Sequence, residues 1–266
     1  MSDSRPLLAI TGGAGRIGTA LRPLLLDRYR LRLADLKPVV DLRPGEESIE
    51  ADVSRMEDAE RVAAGAERVL HLAGNPSPGA GWDEVLPANI EGTYNIYEAA
   101  RRHGIRKVVL ATTNHVMGFY NLEQKYPVAI DWPIRPDSLY GVSKAFGEAL
   151  GRYFCDAFDM SIMCLRIGWF TPNQPSITRL NPLWISDRDL AQIVTLCLES
   201  PRKFGTYYGT SNNPQNQWDL TSARQELGYN PQDDVTKIAA DGEGFGYVDP
   251  QEGVLKAMRT QAARVT

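Results

Sequence analysis

The chain has 266 residues, of which 43% are hydrophobic, and a formal net charge of −4 at pH 7. This length supplies one large α/β domain with a small appendage. The mild negative charge excludes a basic field for nucleic acid or anionic lipid, which leaves small molecules and copies of the chain itself as expected partners. No apolar run approaches the ~20 residues that span a bilayer, and the start lacks the apolar stretch of a signal peptide. We therefore expect a cytoplasmic protein with no membrane partner.

Three cysteines stand inside apolar segments, at Cys155, Cys164 and Cys197. They are odd in number and match no metal-ligand spacing. We expect buried thiols and no metal site.

Apolar runs and helical spacings alternate along the first two thirds of the chain. The predicted strands are Leu7–Ile10, Leu31–Ala34, Val69–Leu72, Lys107–Ala111 and Ser161–Arg166. The predicted helices are Ile17–Leu26, Met56–Ala64, Val85–Arg102 and Ser138–Phe158. This alternation is typical of an α/β Rossmann fold, a doubly wound parallel sheet with helices on both faces.

The regular pattern ends near Gly168, after which prolines interrupt the chain. Beyond them we predict a helix, a short strand, a second helix and a Gly-rich tail, with the regular elements at Asp187–Glu199, Thr206–Gly209 and Thr221–Leu227. This remainder is too short to fold separately. We expect residues 1–168 to form the cofactor-binding domain with the catalytic residues, and residues 169–266 to form a small C-terminal substrate-binding cap and tail.

Glycines follow the first strand at the spacing G-x-x-G-x-x-G, at Gly12, Gly15 and Gly18. Their missing side chains let backbone amides approach a pyrophosphate at the N-terminus of the next helix, where Arg16 and Ile17 also lie. A strand before the motif and a helix after it are the context that dinucleotide binding requires. A structural glycine turn is the alternative interpretation.

Asp35 closes the second strand at the distance expected for an acid that binds the adenosine ribose. A carboxylate there accepts from the 2′-hydroxyl and repels a 2′-phosphate, which favours NAD over NADP. Further along, we place Asp52 and Val53 at the adenine edge, and the segment Leu72, Ala73 and Gly74 under the ribose and phosphate. His71, next to that segment, is interpreted as a core histidine with satisfied hydrogen bonds.

Tyr140 and Lys144 stand four residues apart near the start of a predicted helix, so both emerge on one face. A phenol titrates near pH 10, and a nearby cation is needed for it to act as a base near neutrality. The fourth predicted strand ends in hydroxyl residues at the sheet edge where ligands bind. Thr113 is predicted to hydrogen-bond the reacting oxygen beside Tyr140, and Thr112 is the weaker candidate because strand neighbours face opposite ways.

These motifs resemble extended short-chain dehydrogenases, in the segments Thr11–Gly18, His71–Gly74, Asn89–Thr93 and Tyr140–Lys144. The likeness covers about Leu7 to Gly168. Within that superfamily the chain is most similar to uronate dehydrogenases, in Thr113–His115, Leu165–Gly168 and Trp184–Ser186. Those enzymes oxidise C1 of a hexuronic acid to a lactone with NAD. Short-chain glucose-6-phosphate dehydrogenases and sulfoquinovose dehydrogenases are similar chains that oxidise the same carbon, so the shared requirement is a pyranose with an anion at C6.

The resemblance also implies roles for single residues. Asn89, Ile167, Tyr140 and Lys144 would border the cofactor. Asn114 and His115 would bind sugar hydroxyls, and Arg179 would face the C6 anion. By the same resemblance, helix surfaces around Glu91–Arg102 and Ser138–Asp156 could pair in a homodimer or homotetramer.

Three further positions bear on the substrate. Trp169 stands where uronate dehydrogenases have a small hydroxyl residue, and Arg16 replaces an uncharged one. An indole can pack on a sugar, and a second cation suits a sulfonate or phosphate, although Arg16 could equally contact the cofactor's phosphate or a protein carboxylate. Two prolines stiffen a loop beside the sugar, where Asn75 and Ser77 are possible hydroxyl ligands.

We predict an NAD-dependent oxidation of the anomeric hydroxyl of a hexopyranose with an anionic C6 group, giving the aldonolactone. Sulfoquinovose and a hexuronate are equally favoured, ahead of glucose 6-phosphate. Tyr140 would remove the proton while C1 passes hydride to NAD, with Lys144 and Thr113 holding charge and geometry. One alternative is a nucleotide-sugar epimerase or dehydratase that retains its NAD. A second is a non-catalytic NAD-sensing protein.

Overall fold

The computed structural model describes residues 3–171, 181–238 and 250–263. Within these ranges seven parallel strands form one sheet. They are β1 (Leu7–Thr11), β2 (Arg30–Asp35), β3 (Glu46–Glu50), β4 (Arg68–His71), β5 (Lys107–Thr113), β6 (Ser161–Ile167) and, after two short strands described below, β9 (Phe204–Gly209). Their order across the sheet is β3-β2-β1-β4-β5-β6-β9. The order of the strands reverses between β1 and β4. Ligands bind open α/β sheets in the crevice at such a point, which confirms the predicted Rossmann architecture and locates its ligand edge.

Helices cover both faces of the sheet. They are α1 (Arg16–Leu25), α2 (Met56–Ala63), α3 (Trp82–Val85), α4 (Gly92–Arg102), α5 (Phe119–Leu122), α6 (Leu139–Phe158), α7 (Asp187–Glu199), α8 (Thr221–Leu227), α9 (Val235–Ile238) and α10 (Pro250–Ala262). Helix α1 packs with α7, and α2, α4 and α6 pack in a second layer. Each layer buries its own apolar cluster because successive strand residues point to opposite faces: Leu8 and Ile10 belong to one cluster, Ala9 to the other.

The stretch predicted as one helix from Val85 to Arg102 differs from that expectation. Its first part is the end of α3, then Leu86–Glu91 winds as a π-helix, and only then does α4 begin. Pro87 stands at the start of the wider turn, and proline supplies no amide hydrogen to a regular helical ladder. The prediction of a continuous helix was therefore wrong here.

The part of the chain after residue 168 contributes to the sheet itself. Strand β9 pairs with β6 over its whole length, and α7 covers β5, β6 and β9. A short parallel pair, β7 (Trp169–Phe170) and β8 (Trp184–Ile185), lies beside the main sheet. The boundary expected at residue 168 therefore does not follow the edge of the sheet. The tail, predicted without regular structure, also contains helix α10.

No helix within the described ranges is both long and apolar enough to cross a membrane. The three cysteines are free and buried, as expected.

Candidate active site

A cavity of about 860 Å³ opens at the carboxyl ends of β1, β4, β5 and β6. Most of the predicted cofactor residues line it: Gly12, Gly15, Arg16, Ile17, Gly18, Asp35, Asp52, Val53, Leu72, Ala73, Gly74, Tyr140, Lys144 and Ile167. Predicted substrate residues that line it are Asn75, Asn114, His115 and Trp169. The structure thus brings the two predicted sets into one continuous site.

The glycine turn forms one end of this cavity. Gly12 has a φ of +70°, and a Cβ on it would lie 2.9 Å from the backbone nitrogen of Ala73. A Cβ on Gly18 would lie 2.6 Å from the carbonyl oxygen of Gly12. Gly15 caps helix α1 without a side-chain hydrogen bond, which leaves first-turn amides for an anionic ligand. The turn has the shape of a pyrophosphate cradle.

Asp35 and Asp52 stand at the end of the cavity where the adenosine would lie. Asp35 is the last residue of β2, and its Oδ2 accepts a hydrogen bond from the backbone amide of Ala14 at 3.0 Å. This bond fixes the carboxylate beside the glycine turn while leaving acceptor capacity for a ribose hydroxyl. Asp52 accepts from the amide and hydroxyl of Ser54 at 2.9 and 2.7 Å. The cradle and the acid together fit NAD.

Tyr140 and Lys144 lie one turn apart near the start of α6, with their side chains buried. Burial raises the pKa of Tyr140 to about 12, against the effect of a hydrogen bond with Thr113 that lowers it and with a smaller raising effect of the Asp137 charge. Burial lowers the pKa of Lys144 to about 8. The described residues provide no carboxylate partner for this ammonium. No ion pair with a described residue therefore neutralises the charge of Lys144, and this charge can act on groups in the cavity.

The two threonines at the end of β5 have separate partners. Thr113 contacts Tyr140 and also caps the following turn by accepting from the His115 amide at 3.2 Å. Thr112 donates to Glu148 at 2.7 Å, and Glu148 in turn receives two hydrogen bonds from Arg166, at 2.9 and 2.8 Å. Both threonines line the cavity, and the hydroxyl of Thr112 is engaged in a buried network with Glu148 and Arg166.

His71 is fully buried and lies between two hydroxyls. Its Nδ1 is 2.6 Å from Thr11 Oγ1 and its Nε2 is 3.4 Å from Thr93 Oγ1. Burial, and to a lesser extent the charge of Lys144, lowers its pKa to about 3, so the imidazole is neutral. His71 is a satisfied core histidine, as the sequence suggested.

Asn89 does not line the cavity. Its side chain is fully buried, accepts from the amide of Asn75 at 2.7 Å, and donates to the Asn75 carbonyl and to Ser143 Oγ at 3.1 and 2.9 Å. It lies directly behind Gly74, where a Cβ would meet both Asn89 Oδ1 and Lys144 Nζ, at 2.9 and 3.4 Å. Asn89 thus ties the loop after β4 to helix α6.

The opposite end of the cavity carries polar side chains for a second ligand. His115 follows β5 in a short 3₁₀ turn, and its Nδ1 lies 2.9 and 2.8 Å from the two carboxylate oxygens of Asp137. The His115 ring stands edge-on to Tyr140, with centroids 5.8 Å apart. Asn114 lines the same wall. This end can therefore hold a hydroxylated molecule against Tyr140.

Two predicted substrate residues are not placed in the cavity wall. Ser77 is exposed on the loop after β4, where its amide donates to Asn75 Oδ1 at 3.0 Å, and it does not line the cavity. Arg179 lies outside the described residues. Trp169 lies on the rim and is 37% exposed.

Sequence reasoning missed several residues that line this end. They are Asn121, Asp137, Phe170, Asn181, Leu183 and Val254. Asp137 precedes α6 and could pass for part of its cap, whereas Val254 reaches the cavity from helix α10. Among these six residues, only Asp137 lies close in sequence to a recognised motif, three residues before Tyr140.

Residues 8–205 match the NAD dependent epimerase/dehydratase family. The chain is 35% identical over 257 residues to the NAD-dependent glucose-6-phosphate dehydrogenase of Haloferax volcanii, covering 90% of this chain and 97% of that protein. It is 36% identical over 255 residues to the L-arabinose 1-dehydrogenase (NAD(P)(+)) of the same organism, covering 87% and 98%. The crystal structure of a variant uronate dehydrogenase from Agrobacterium tumefaciens, complexed with NAD, aligns with a TM-score of 0.80 and 34% identity, covering 90% and 89%.

These similarities extend over nearly the whole of each protein. They therefore include the segments at the substrate end of the cavity as well as the dinucleotide-binding fold. The relatives are NAD-dependent sugar dehydrogenases, which is the enzyme class and the cofactor expected from the sequence. The chain belongs to the NAD-dependent epimerase/dehydratase family and is an extended short-chain dehydrogenase.

Proposed function

We propose that this enzyme oxidises the C1 hydroxyl of a hexopyranose with an anionic C6 group, a hexuronate or sulfoquinovose ahead of glucose 6-phosphate, to the aldonolactone. The observation that carries the proposal is the position of Tyr140. Its hydroxyl group hydrogen-bonds with Thr113 and its ring meets that of His115, in a cavity that Gly12 and Asn114 also line. A substrate hydroxyl at that point lies beside a base and within reach of the cofactor end.

The side chains divide the work of the reaction. Tyr140 accepts the proton of the C1 hydroxyl, and Thr113 hydrogen-bonds the same oxygen and fixes its position. With a pKa of about 12, Tyr140 holds its proton near neutrality, so little phenolate is available to act as the base. The buried ammonium of Lys144, one helical turn away, is proposed to stabilise the phenolate in the loaded site. Bound NAD supplies the hydride acceptor and a further positive charge. All three side chains are buried, so little of their surface is in contact with bulk water.

The C6 anion belongs to the part of the site remote from Asp137. The described residues at the substrate end are mostly uncharged, with Asn75, Asn114, Asn121 and Asn181 as donors and acceptors. Arg179 is proposed as the counter-charge, since a guanidinium offers several donors to a carboxylate or sulfonate. The indole of Trp169 would pack on the sugar or donate its N–H.

Residues 169–266 are proposed to act as the substrate cap. Trp169, Phe170, Asn181, Leu183 and Val254 all come from this part of the chain and line the cavity. Residues 1–168 supply the cofactor cradle and the catalytic side chains.

We also propose that two copies pair through α4 and α6. These neighbouring helices expose the apolar side chains of Tyr94, Val142, Phe146 and Tyr153. Light scattering on the purified protein, compared with a Tyr153→Glu variant, tests this: a monomer in both cases contradicts the pairing.

The activity test mixes the enzyme with NAD and, separately, glucuronate, galacturonate, sulfoquinovose, glucose 6-phosphate, L-arabinose and glucose. Reduced cofactor is followed by its absorbance. We expect reduction with one anionic hexose and weak reduction with glucose. Tyr140→Phe should lose about 10²–10⁴-fold in kcat/KM, whereas Tyr153→Phe, an exposed tyrosine on the same helix, should keep it. Reduction with none of the sugars contradicts the proposal; retained NAD without net reduction would point to an epimerase.

A further inference from the structure

We propose that Asp137 is a positioning residue that fixes the tautomer of His115, so that Nε2 is an unprotonated acceptor for a substrate hydroxyl. The statement rests on the proposed function only in taking that hydroxyl to belong to the sugar. Asp137 is not part of the Tyr-x-x-x-Lys motif, and its side chain is 1% exposed against 23% for His115. Although Asp137 lies in the cavity wall, both of its carboxylate oxygens face His115 Nδ1, so its proposed role is exercised through the histidine.

The carboxylate is held rigidly. Both of its oxygens lie within hydrogen-bond distance of His115 Nδ1, and Ser138 Oγ donates to Oδ1 at 2.9 Å. The Asp137 amide also donates to the His115 carbonyl at 3.2 Å, which links the two residues a second time. Gly118 leaves room for the group, because a Cβ there would lie 1.8 Å from Asp137 Oδ2. Backbone and side chains thus place this acid against one nitrogen.

The tautomer of His115 follows from which of the facing atoms can donate and which can accept a hydrogen bond. An ionised carboxylate can only accept, so the nitrogen facing it must carry the hydrogen. In a neutral imidazole the other nitrogen, Nε2, is then an acceptor. Because His115 lines the cavity beside Tyr140, this acceptor recognises a hydroxyl donor next to the reacting carbon.

The same pair directs the orientation of the substrate. The pair places the carboxylate of Asp137 in this wall, and like charges repel most strongly where water is excluded. A sugar with an anionic group therefore binds with its hydroxyls against His115 and its anion away from it. The Asp137–His115 pair selects which end of the sugar faces Tyr140.

The tautomer can be read directly by NMR. The chain has three histidines, so a protein labelled with ¹⁵N-histidine gives three sets of ring signals, and a His115→Gln variant assigns one of them. We expect His115 to be protonated at Nδ1 in the free enzyme and to lose this fixed state in Asp137→Ala and Asp137→Asn. Protonation of His115 at Nε2 in the unsubstituted protein overturns the proposal. This readout needs no substrate and stands apart from the proposed activity.

Kinetics separate positioning from chemistry. With the sugar that supports activity, Asp137→Asn should raise KM about tenfold, as expected for a lost hydrogen bond, and change kcat less than KM. Glu123→Gln is the matched control, because it removes a carboxylate from an exposed ion pair with Arg135 in the neighbouring segment; it should leave both constants unchanged. A fall in kcat at constant KM in Asp137→Asn would show that the residue acts on the chemical step and would overturn the proposal.

Discussion

Replacing Lys144 with methionine is expected to abolish activity and, at the same time, to stabilise the enzyme without cofactor. The ammonium is 4% exposed and has no carboxylate partner among the described residues. Burying an unpaired charge costs free energy, whereas methionine has a similar shape and no charge. The charged side chain that the reaction needs therefore lowers the free energy of unfolding.

The size of this destabilisation follows from the pKa of Lys144, which burial lowers from 10.5 to about 8. At about 1.4 kcal/mol per pH unit, the charged form destabilises the folded state by about 3 kcal/mol. The sign can be checked by proton binding. Between pH 8 and 10.5 the unfolded chain still holds the proton that the folded chain has released, so stability rises with pH across this window. The gain from Lys144→Met is complete below pH 8 and disappears towards pH 10.5.

Urea unfolding followed by fluorescence of the five tryptophans measures the effect. The difference in unfolding free energy between Lys144→Met and the unsubstituted enzyme should be about 3 kcal/mol at pH 7 and should shrink as the pH rises. Lys144→Arg keeps the charge and should show no such gain. If Lys144→Met is no more stable at pH 7, or if its advantage does not fall with pH, burial of an unpaired charge is not what sets the properties of this lysine.

Three further substitutions test other parts of the site. Asp35→Ser should reduce the preference for NAD over NADP in steady-state kinetics, because the acid that repels a 2′-phosphate is removed; an unchanged ratio contradicts its assignment. Glu148→Ala leaves Arg166 as an unpaired buried charge and should lower the unfolding free energy by about 3–5 kcal/mol. Asp156→Ala is the control, because Asp156 belongs to an exposed ion pair on the same helix; this substitution should lower the unfolding free energy by less than about 0.5 kcal/mol. Gly18→Ala places a Cβ 2.6 Å from a backbone oxygen and should weaken NAD binding by calorimetry; wild-type affinity would refute a close-packed turn.

The cofactor end could be predicted because its signals are local. The glycine spacing, the acid that ends β2 and the Tyr-x-x-x-Lys pair each fall within one strand–turn–helix unit or one helical turn. Hydrophobic periodicity and turn residues predict structure over such short stretches of sequence. The preference for Thr113 over Thr112 rests on a signal of the same kind, the alternation of side chains along a strand, and it stays a prediction.

The substrate end could not be predicted to the same degree, because it is assembled from distant segments. Asp137 and His115 are 22 residues apart with a loop between them, and no periodicity relates them. Val254 lines the cavity only because α10 packs on α5. The π-helical stretch at Leu86–Glu91 was missed for a different reason: apolar spacing predicts that a segment is helical but does not distinguish a π-helical turn from an α-helical one.

Helix α10 makes the two ends of the cavity differ in how far apart in the sequence their contacting residues lie. Gly79, in the loop after β4, would place a Cβ 2.9 Å from Thr260 Cγ2, so residues separated by most of the chain come into contact next to the cavity-lining residues Pro78 and Val254. The glycine cradle, in contrast, uses neighbours from the first two strands and β4. Contacts of long sequence separation form late because their loop-closure entropy must be offset first. During synthesis, the enzyme can therefore acquire its dinucleotide pocket before it acquires the complete wall that confines the sugar.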